Sequence, residues 1–189
     1  MSSGGSLKTE IRLAGAGGQG VILASIALAE AAGVHEGRRV VQTQSYGPEA
    51  RGGASKADVI ISDKPILFPK SRRLDVLVCL SQQAADRYFG DLRLRGVAII
   101  DEFYVRECPR EGAVCLPLSV TAREELGKEL YTNIVTLGAL AQVTGIVKLE
   151  SLQKAIAGRV PAGTIDKNLQ ALQTGWTLAE GLKSRQPDG

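Results

Sequence analysis

The residues best suited to chemistry lie in a glycine-rich segment near the amino terminus, at positions 15–20 with the sequence GAGGQG. Three of its glycines satisfy the pattern G-x-G-x-x-G between a predicted strand at 10–14 and an alanine-rich predicted helix at 21–32. In that context the pattern is typical of turns that bind phosphate groups. Glycines permit a sharp turn and let backbone N–H groups at the start of a helix approach an anion or another chain. The alternative is a turn that only permits close packing of helix and strand. The candidate site residues are Gly15, Gly17, Gly18, Gln19 and Gly20.

A dinucleotide site of this kind also needs an acidic residue at the end of the second strand, where it binds the ribose hydroxyls. The second strand is predicted at 38–44, and no Asp or Glu lies between Glu36 and Glu49. The sequence therefore disfavours NAD, although it leaves open another ligand that carries phosphate.

A second unusual segment, positions 45–53, follows that strand. It is longer than the two to about six residues typical of strand–helix connections, and it is rich in glycine. Arg51 could bind a phosphate or a carboxylate. The alternative is a surface pair of Glu49 with Arg51. The candidate site residues are Ser45, Tyr46, Gly47, Pro48, Glu49, Arg51, Gly52 and Gly53.

The elements that must position these segments alternate between strands and helices. Short apolar runs predict further strands at 54–62, 74–80, 97–101 and 113–116, with a helix at 82–89. Helical patterns then follow at 121–130, 133–144, 149–157 and 163–182. This order predicts an α/β fold in a single domain: a mainly parallel sheet covered by helices, a start like the Rossmann fold and a helical C-terminal third. We expect the domain to span 8–182, with flexible termini at 1–7 and 183–189.

Composition excludes several kinds of function. The net charge of the 189-residue chain is only +3 and its aromatic content 4%, which argues against nucleic acid as a partner. The three cysteines fit no metal-ligand spacing and His35 is the sole histidine, so we predict no metal site and no catalytic residue. No apolar run reaches the roughly 18 residues of a membrane span, and no export signal is recognised. We therefore expect a cytoplasmic protein that does not bind membranes.

The two glycine-rich segments together carry a resemblance. The sequences at 15–21 and 45–53, about thirty residues apart, closely resemble those of the gamma subunit of 2-oxoacid:ferredoxin oxidoreductases. Runs at 59–63 and 75–78 are similar to that family as well, as is the run that begins at Asn133, which joins the candidate site residues on this ground. The resemblance covers the chain from Ile11 to about Trp176.

The resemblance implies a multi-subunit enzyme that decarboxylates a 2-oxoacid oxidatively, forms an acyl-coenzyme A and passes electrons to ferredoxin. In this family thiamine diphosphate, Mg and the iron-sulfur clusters belong to other subunits, and coenzyme A is a co-substrate. The chain alone would bear no cofactor and would be inactive. Its expected partners are alpha and beta subunits, with a delta subunit as an open option, and ferredoxin through the complex.

The expected role of the chain is to help close the thiamine and coenzyme A site. Arg51 would contact an anionic group there, either a partner carboxylate or a phosphate of coenzyme A. The sequence looks most like the 2-oxoglutarate type, with the pyruvate, branched-chain and indolepyruvate types close behind. A stand-alone nucleotide-binding protein and a regulatory module are the alternatives.

Overall fold

Six strands form one mixed sheet in a computed structural model of the chain, which describes residues 8–45, 54–108 and 111–183. The sheet order is β2-β3-β1-β4-β5-β6. The strands are β1 (Lys8–Gly15), β2 (Arg39–Ser45), β3 (Ser55–Ser62), β4 (Leu74–Cys79), β5 (Leu92–Asp101) and β6 (Val114–Leu116).

The helices are α1 (Val21–Glu30), α2 (Gln82–Tyr88), α3 (Leu118–Leu126), α4 (Thr132–Thr144), α5 (Leu149–Ala157) and α6 (Ile165–Lys183). A π-helical turn at Ala31–His35 extends α1 beyond its predicted end. Short 3-10 turns lie at Phe89–Asp91, Glu129–Tyr131 and Ala162–Thr164. No helix in the described ranges is both long enough and apolar enough to cross a membrane.

The predicted mainly parallel sheet is confirmed, with one reversed strand. β1 is parallel to β4, β4 to β5, and β5 to β6, whereas β3 is antiparallel to both β1 and β2. A parallel pairing of β2 with β3 would need a crossover of about a dozen residues or more, and the connection at 46–54 is shorter than that. The chain therefore turns back, and β3 takes the place next to β1.

The two faces of the sheet are covered unequally. One face carries the larger core, in which β1, β3 and β4 contribute fully buried side chains such as Ile11, Val59 and Val78 beneath α1 and α3–α6. On the other face only α2 packs among the described helices, over a smaller cluster that includes Leu77 and Cys79. The apolar helix α1 is covered by α4 and α5 of the same chain as well as by the sheet.

Helices α4 and α6 cross at two glycines, so closely that their backbones touch. A Cβ atom built on Gly175 would overlap the carbonyl oxygen of Val135, and one built on Gly138 would overlap the carbonyl oxygen of Leu172. Because backbone atoms cannot swing aside as a side chain can, these two positions require glycine. This crossing fixes α4 against α6.

We expect Gly175→Ala to lower the free energy of unfolding by about 3 kcal/mol, since the added methyl group forces the two helices apart. Gly181→Ala is the matched control, because Gly181 is exposed on the same helix and its Cβ would have no described atom within 4 Å. That variant should be neutral, or more stable by less than about 1 kcal/mol. Urea unfolding followed by circular dichroism compares them; equal midpoints would contradict the close crossing.

Candidate functional site

The glycine-rich turn connects the end of β1 to the start of α1, as predicted. Gly15 is the last residue of β1 and Val21 the first of α1. Gly18 and Gly20 have φ angles of 89° and 71°, in the left-handed region where residues with a side chain are strained. Gly17 and Gly18 are exposed. The turn thus presents bare backbone to its surroundings.

The side chain of Gln19 fills the inside of the turn. Its Oε1 accepts a hydrogen bond from the Ala16 N–H at 2.7 Å, and its Nε2 donates to the carbonyl oxygen of Leu80 at 2.9 Å. Leu80 in turn donates its N–H to the carbonyl oxygen of Ala14 at 2.9 Å. A Cβ atom on Gly15 would overlap Gln19 Oε1. The turn is therefore held to the end of β4 by the chain's own amide group.

Asn133, at the start of α4, lies against the other end of the turn. Its Nδ2 donates to the carbonyl oxygen of Gly20 at 3.3 Å, and a Cβ atom on Gly20 would lie 2.5 Å from that Nδ2. The structure thus brings together the glycine-rich turn and Asn133, which is more than one hundred positions away in the sequence.

A surface cavity of about 270 Å³ opens beside this turn. It is lined by Gly18, Gln19, Glu129, Leu130 and Thr132. Leu130 is 73% exposed, which is unusual for a large apolar side chain next to a glycine-rich turn. Sequence reasoning missed Leu130, because it comes from a short 3-10 turn rather than from a recognisable motif.

The strand order displaces the ribose-binding position of a dinucleotide site. In the Rossmann arrangement the second strand lies next to the first, so that an acid at its end reaches the ribose. Here the reversed β3 lies between β1 and β2. The end of β2 carries Gln42, Thr43, Gln44 and Ser45, and Gln42 Nε2 donates to Ser25 Oγ at 3.0 Å. The observed topology adds to the sequence argument against NAD.

The second predicted segment falls largely outside the described residues. Of its candidate positions only Ser45 is described, as the exposed last residue of β2. Tyr46, Gly47, Pro48, Glu49, Arg51, Gly52 and Gly53 lie outside the described ranges.

The strands on either side nevertheless locate the two ends of that segment. Ser45 pairs with Lys56, and Ser55 pairs with Gly15. Both ends therefore reach the edge of the sheet at which the glycine-rich turn lies.

A buried arginine that the sequence analysis did not single out lies near this edge. Arg12 is 3% exposed, and its Nε and Nη2 donate to the two carboxylate oxygens of Asp58 at 2.6 and 2.8 Å. It also pairs with Asp91, and its guanidinium lies 4.9 Å from the ring centroid of Tyr88. Burial opposes the charged form, but the hydrogen bonds and charges of Asp58 and Asp91 outweigh it and raise the pKa of Arg12. Arg12, Asp58 and Asp91 therefore form an ion-pair network within the chain, which we interpret as structural.

The cysteines do not form a redox or metal centre among the described residues. Cys79 is fully buried, and burial raises the pKa of its thiol to about 12, so the reactive thiolate is absent at neutral pH. Cys108 and Cys115 are exposed. No group of three or more His, Cys, Asp or Glu side chains in the described ranges could hold a metal ion.

Together the fold and the site define an α/β domain with an exposed glycine-rich turn between β1 and α1, and with β3 rather than β2 beside β1. The profile of the family described as pyruvate ferredoxin/flavodoxin oxidoreductase matches residues 10–178. The chain belongs to this family.

Individual relatives agree with that assignment over nearly their whole length. The 2-oxoglutarate synthase subunit KorC of Methanocaldococcus jannaschii is 49% identical over 180 residues, which cover 93% of this chain and 96% of that protein. The pyruvate/ketoisovalerate oxidoreductases common subunit gamma of Pyrococcus furiosus is 32% identical over 182 residues, covering 90% of this chain and 97% of that one.

A solved structure supports the fold. The gamma subunit of the keto/oxoacid ferredoxin oxidoreductase from Geobacter sulfurreducens superimposes with a TM-score of 0.84 at 42% identity, covering 92% of this chain and 97% of that one. The predicted resemblance to gamma subunits and the predicted fold class are both confirmed.

The glycines of the turn should respond differently to substitution. Gly20→Ala places a side chain in a left-handed conformation and against Asn133, so we expect it to lower the free energy of unfolding by about 2 kcal/mol or more. Gly17→Ala should leave that free energy within about 0.5 kcal/mol, because Gly17 has no positive φ and its Cβ would meet no described atom within 4 Å. Urea unfolding measures both; an equal loss in the two variants would contradict the described turn.

Proposed function

We propose that this chain is the gamma subunit of a cytoplasmic 2-oxoglutarate:ferredoxin oxidoreductase. The choice of 2-oxoglutarate as the substrate rests on the order of sequence identity among the curated relatives. Four 2-oxoglutarate synthase subunits share 40–49% identity with the chain, whereas subunits named for ketoisovalerate or pyruvate share 32–34%. The complex would convert 2-oxoglutarate and coenzyme A to succinyl-coenzyme A and carbon dioxide, with two electrons passed to ferredoxin.

In this proposal the chain contributes shape rather than a reacting group. Thiamine diphosphate, Mg and the iron-sulfur clusters belong to the alpha and beta subunits, or to a delta subunit. The supporting observation is that the polar side chains at the described turn form hydrogen bonds within the chain: Gln19 bonds Ala16 and Leu80, and Asn133 bonds Gly20. A side chain held in this way positions backbone and does not transfer protons.

The outward features of the turn suit contact with another subunit. Gly17 is exposed, and a Cβ atom on it would meet no described atom within 4 Å. Its lack of a side chain therefore leaves space at which another subunit could approach the backbone. The exposed Leu130 lies beside the same cavity. Protein packed over this edge would keep water from a thiamine diphosphate site on the neighbouring subunits, where the proposed oxidation requires loss of electrons rather than gain of a proton.

A nucleotide-binding role and a regulatory role for the solitary chain are less favoured. The interposed β3 separates β1 from β2, so the end of β2, where the ribose-binding acid of a dinucleotide site would lie, is not beside β1. Nearly full-length similarity to oxidoreductase subunits argues against a separate regulatory module.

Reconstitution tests the function. We expect the chain to co-purify with the other subunits, and the complete complex to reduce ferredoxin with 2-oxoglutarate and coenzyme A at a higher kcat/KM than with pyruvate. Neither the chain alone nor the complex without it should exceed about a hundredth of that rate, since closure of the site is lost. Full activity without the chain would contradict a role in closing the site, and a preference for pyruvate would contradict the substrate.

We further propose that Arg51 binds an anionic group at the closed site, as the resemblance implies. In the assembled complex Arg51→Ala should raise the KM for coenzyme A or lower kcat by about tenfold or more, because a charge-assisted hydrogen bond is lost. Arg51→Lys keeps the charge and should recover part of the loss. Lys167→Ala, an exposed position on α6, is the control and should match the wild type. Unchanged turnover and coenzyme A dependence in Arg51→Ala would end this assignment.

A further inference from the structure

At the edge of the sheet opposite the glycine-rich turn, the pairing of β4 with β5 is irregular. The proposed function does not involve this feature. Leu74 of β4 pairs with Leu92 of β5, and Val76 pairs with Val97. β5 therefore carries extra residues over this interval, in which β4 advances by only two positions. The extra residues form a bulge at the start of β5, at the edge remote from the glycine-rich turn.

The bulge projects an apolar side chain into solvent between two cations. Arg93, Leu94 and Arg95 are all exposed, and Leu94 is 89% exposed. A Cβ atom on Gly96 would lie 2.6 Å from Leu92 Cδ1, so a side chain there would require the Leu92 side chain to shift. A β-bulge bends the strand locally and changes the direction in which its side chains point.

Two further exposed apolar side chains lie at the same edge, in the connection between β3 and β4. Leu67 is 89% exposed and Phe68 60% exposed, and the guanidinium of Arg72 lies 5.1 Å from the ring centroid of Phe68. Three of the most exposed large apolar side chains of the described chain thus come from two neighbouring segments.

Two carboxylates connect these segments. Asp75 accepts a hydrogen bond from Arg93 Nη1 at 2.7 Å and another from the Glu10 N–H at 2.8 Å. Glu10 Oε2 in turn accepts from the N–H groups of Arg72 and Arg73 at 2.8 and 3.3 Å. Burial opposes ionisation of Glu10, but its hydrogen bonds outweigh burial and lower the pKa. The bulge and the connection are therefore parts of one fixed surface.

Cations outnumber carboxylates at this surface. We define the basic edge as the apolar residues Leu67, Phe68 and Leu94 together with the cations Lys64, Arg72, Arg73 and Arg95. None of these four cations forms an ion pair with a carboxylate in the part of the chain that the structure describes. An apolar centre with a charged rim is the anatomy of a protein interface, and Arg and Phe are enriched in such interfaces.

We propose that the basic edge binds an acidic face of another subunit of the oxidoreductase complex. The proposal rests on the proposed function, since it takes the partner from that complex. The sign of the charge selects an acidic partner and argues against a second copy of this chain, which would bring like charges together. A strand bulge and a loop, rather than an amphipathic helix, also favour protein over a membrane surface.

The test measures binding of the full chain to the remaining co-expressed subunits by biolayer interferometry at 50 and 300 mM NaCl. We expect the wild-type Kd to rise at least tenfold between these concentrations. Leu94→Ser should raise the Kd at least tenfold at both, and Arg95→Glu should raise it while flattening its salt dependence. Lys167→Glu on α6 is the control and should change the Kd less than twofold. Because all three positions are exposed, urea unfolding should show unchanged stability.

Wild-type affinity in both Leu94→Ser and Arg95→Glu, or a Kd independent of salt, would overturn the basic edge as an interface and leave the proposed function standing. Arg95-dependent sedimentation of the chain with phosphatidylglycerol vesicles would assign the surface to a membrane instead. No binding of the wild-type chain to the remaining subunits would refute the proposed function itself, and this inference with it.

Discussion

The amide group of Gln19 is the interaction on which the described site depends. A glycine-rich turn is the least restrained kind of backbone, and glycine loses the most conformational entropy on folding. The two hydrogen bonds of Gln19, to the Ala16 N–H and to the Leu80 carbonyl oxygen, oppose that cost and bind the turn to the neighbouring strand. Asn133 restrains the other end through the Gly20 carbonyl oxygen. As a result the turn is both free of side chains on its outer surface and fixed in shape.

The start of the chain resembles the Rossmann fold, but it does not place β2 beside β1, where the ribose-binding acid of a dinucleotide site would lie. The strand, glycine-rich turn and helix are present, but the amide side chain of Gln19 occupies the inside of the turn and β3 occupies the place beside β1. The bare outer backbone is then available for contact with protein. The same local motif thus supports a different function because its surroundings differ.

Much of the fold could be predicted from the sequence, because local patterns determine it. The apolar runs and helical periodicities located every strand and long helix to within a few residues, apart from the start of β5. That strand begins at Leu92 rather than at 97, because its polar first half forms the bulge and carries no apolar run. The reversal of β3 was not predicted, since strand direction depends on the length of the connection and on pairing rather than on composition.

The site was predictable only in part, for a similar reason. Glycine spacing located the turn, but Leu80 and Leu130 reach it from distant positions that no local pattern connects. Arg12 looked like a polar residue in a strand, and its burial depends on Asp58 and Asp91, which the fold brings to it. Asn133 was identified through the resemblance rather than through chemistry, and its contact with Gly20 supplies the physical reason.

The close glycine crossing of α4 and α6 couples the position of the last helix to the glycine-rich turn. Val135, which touches Gly175, lies two positions after Asn133 on the same helix. Any shift of α6 along its axis would carry the first turn of α4 with it, and through Asn133 would displace the glycine-rich turn. The carboxyl-terminal helix therefore supports the glycine-rich turn indirectly, through α4 and Asn133.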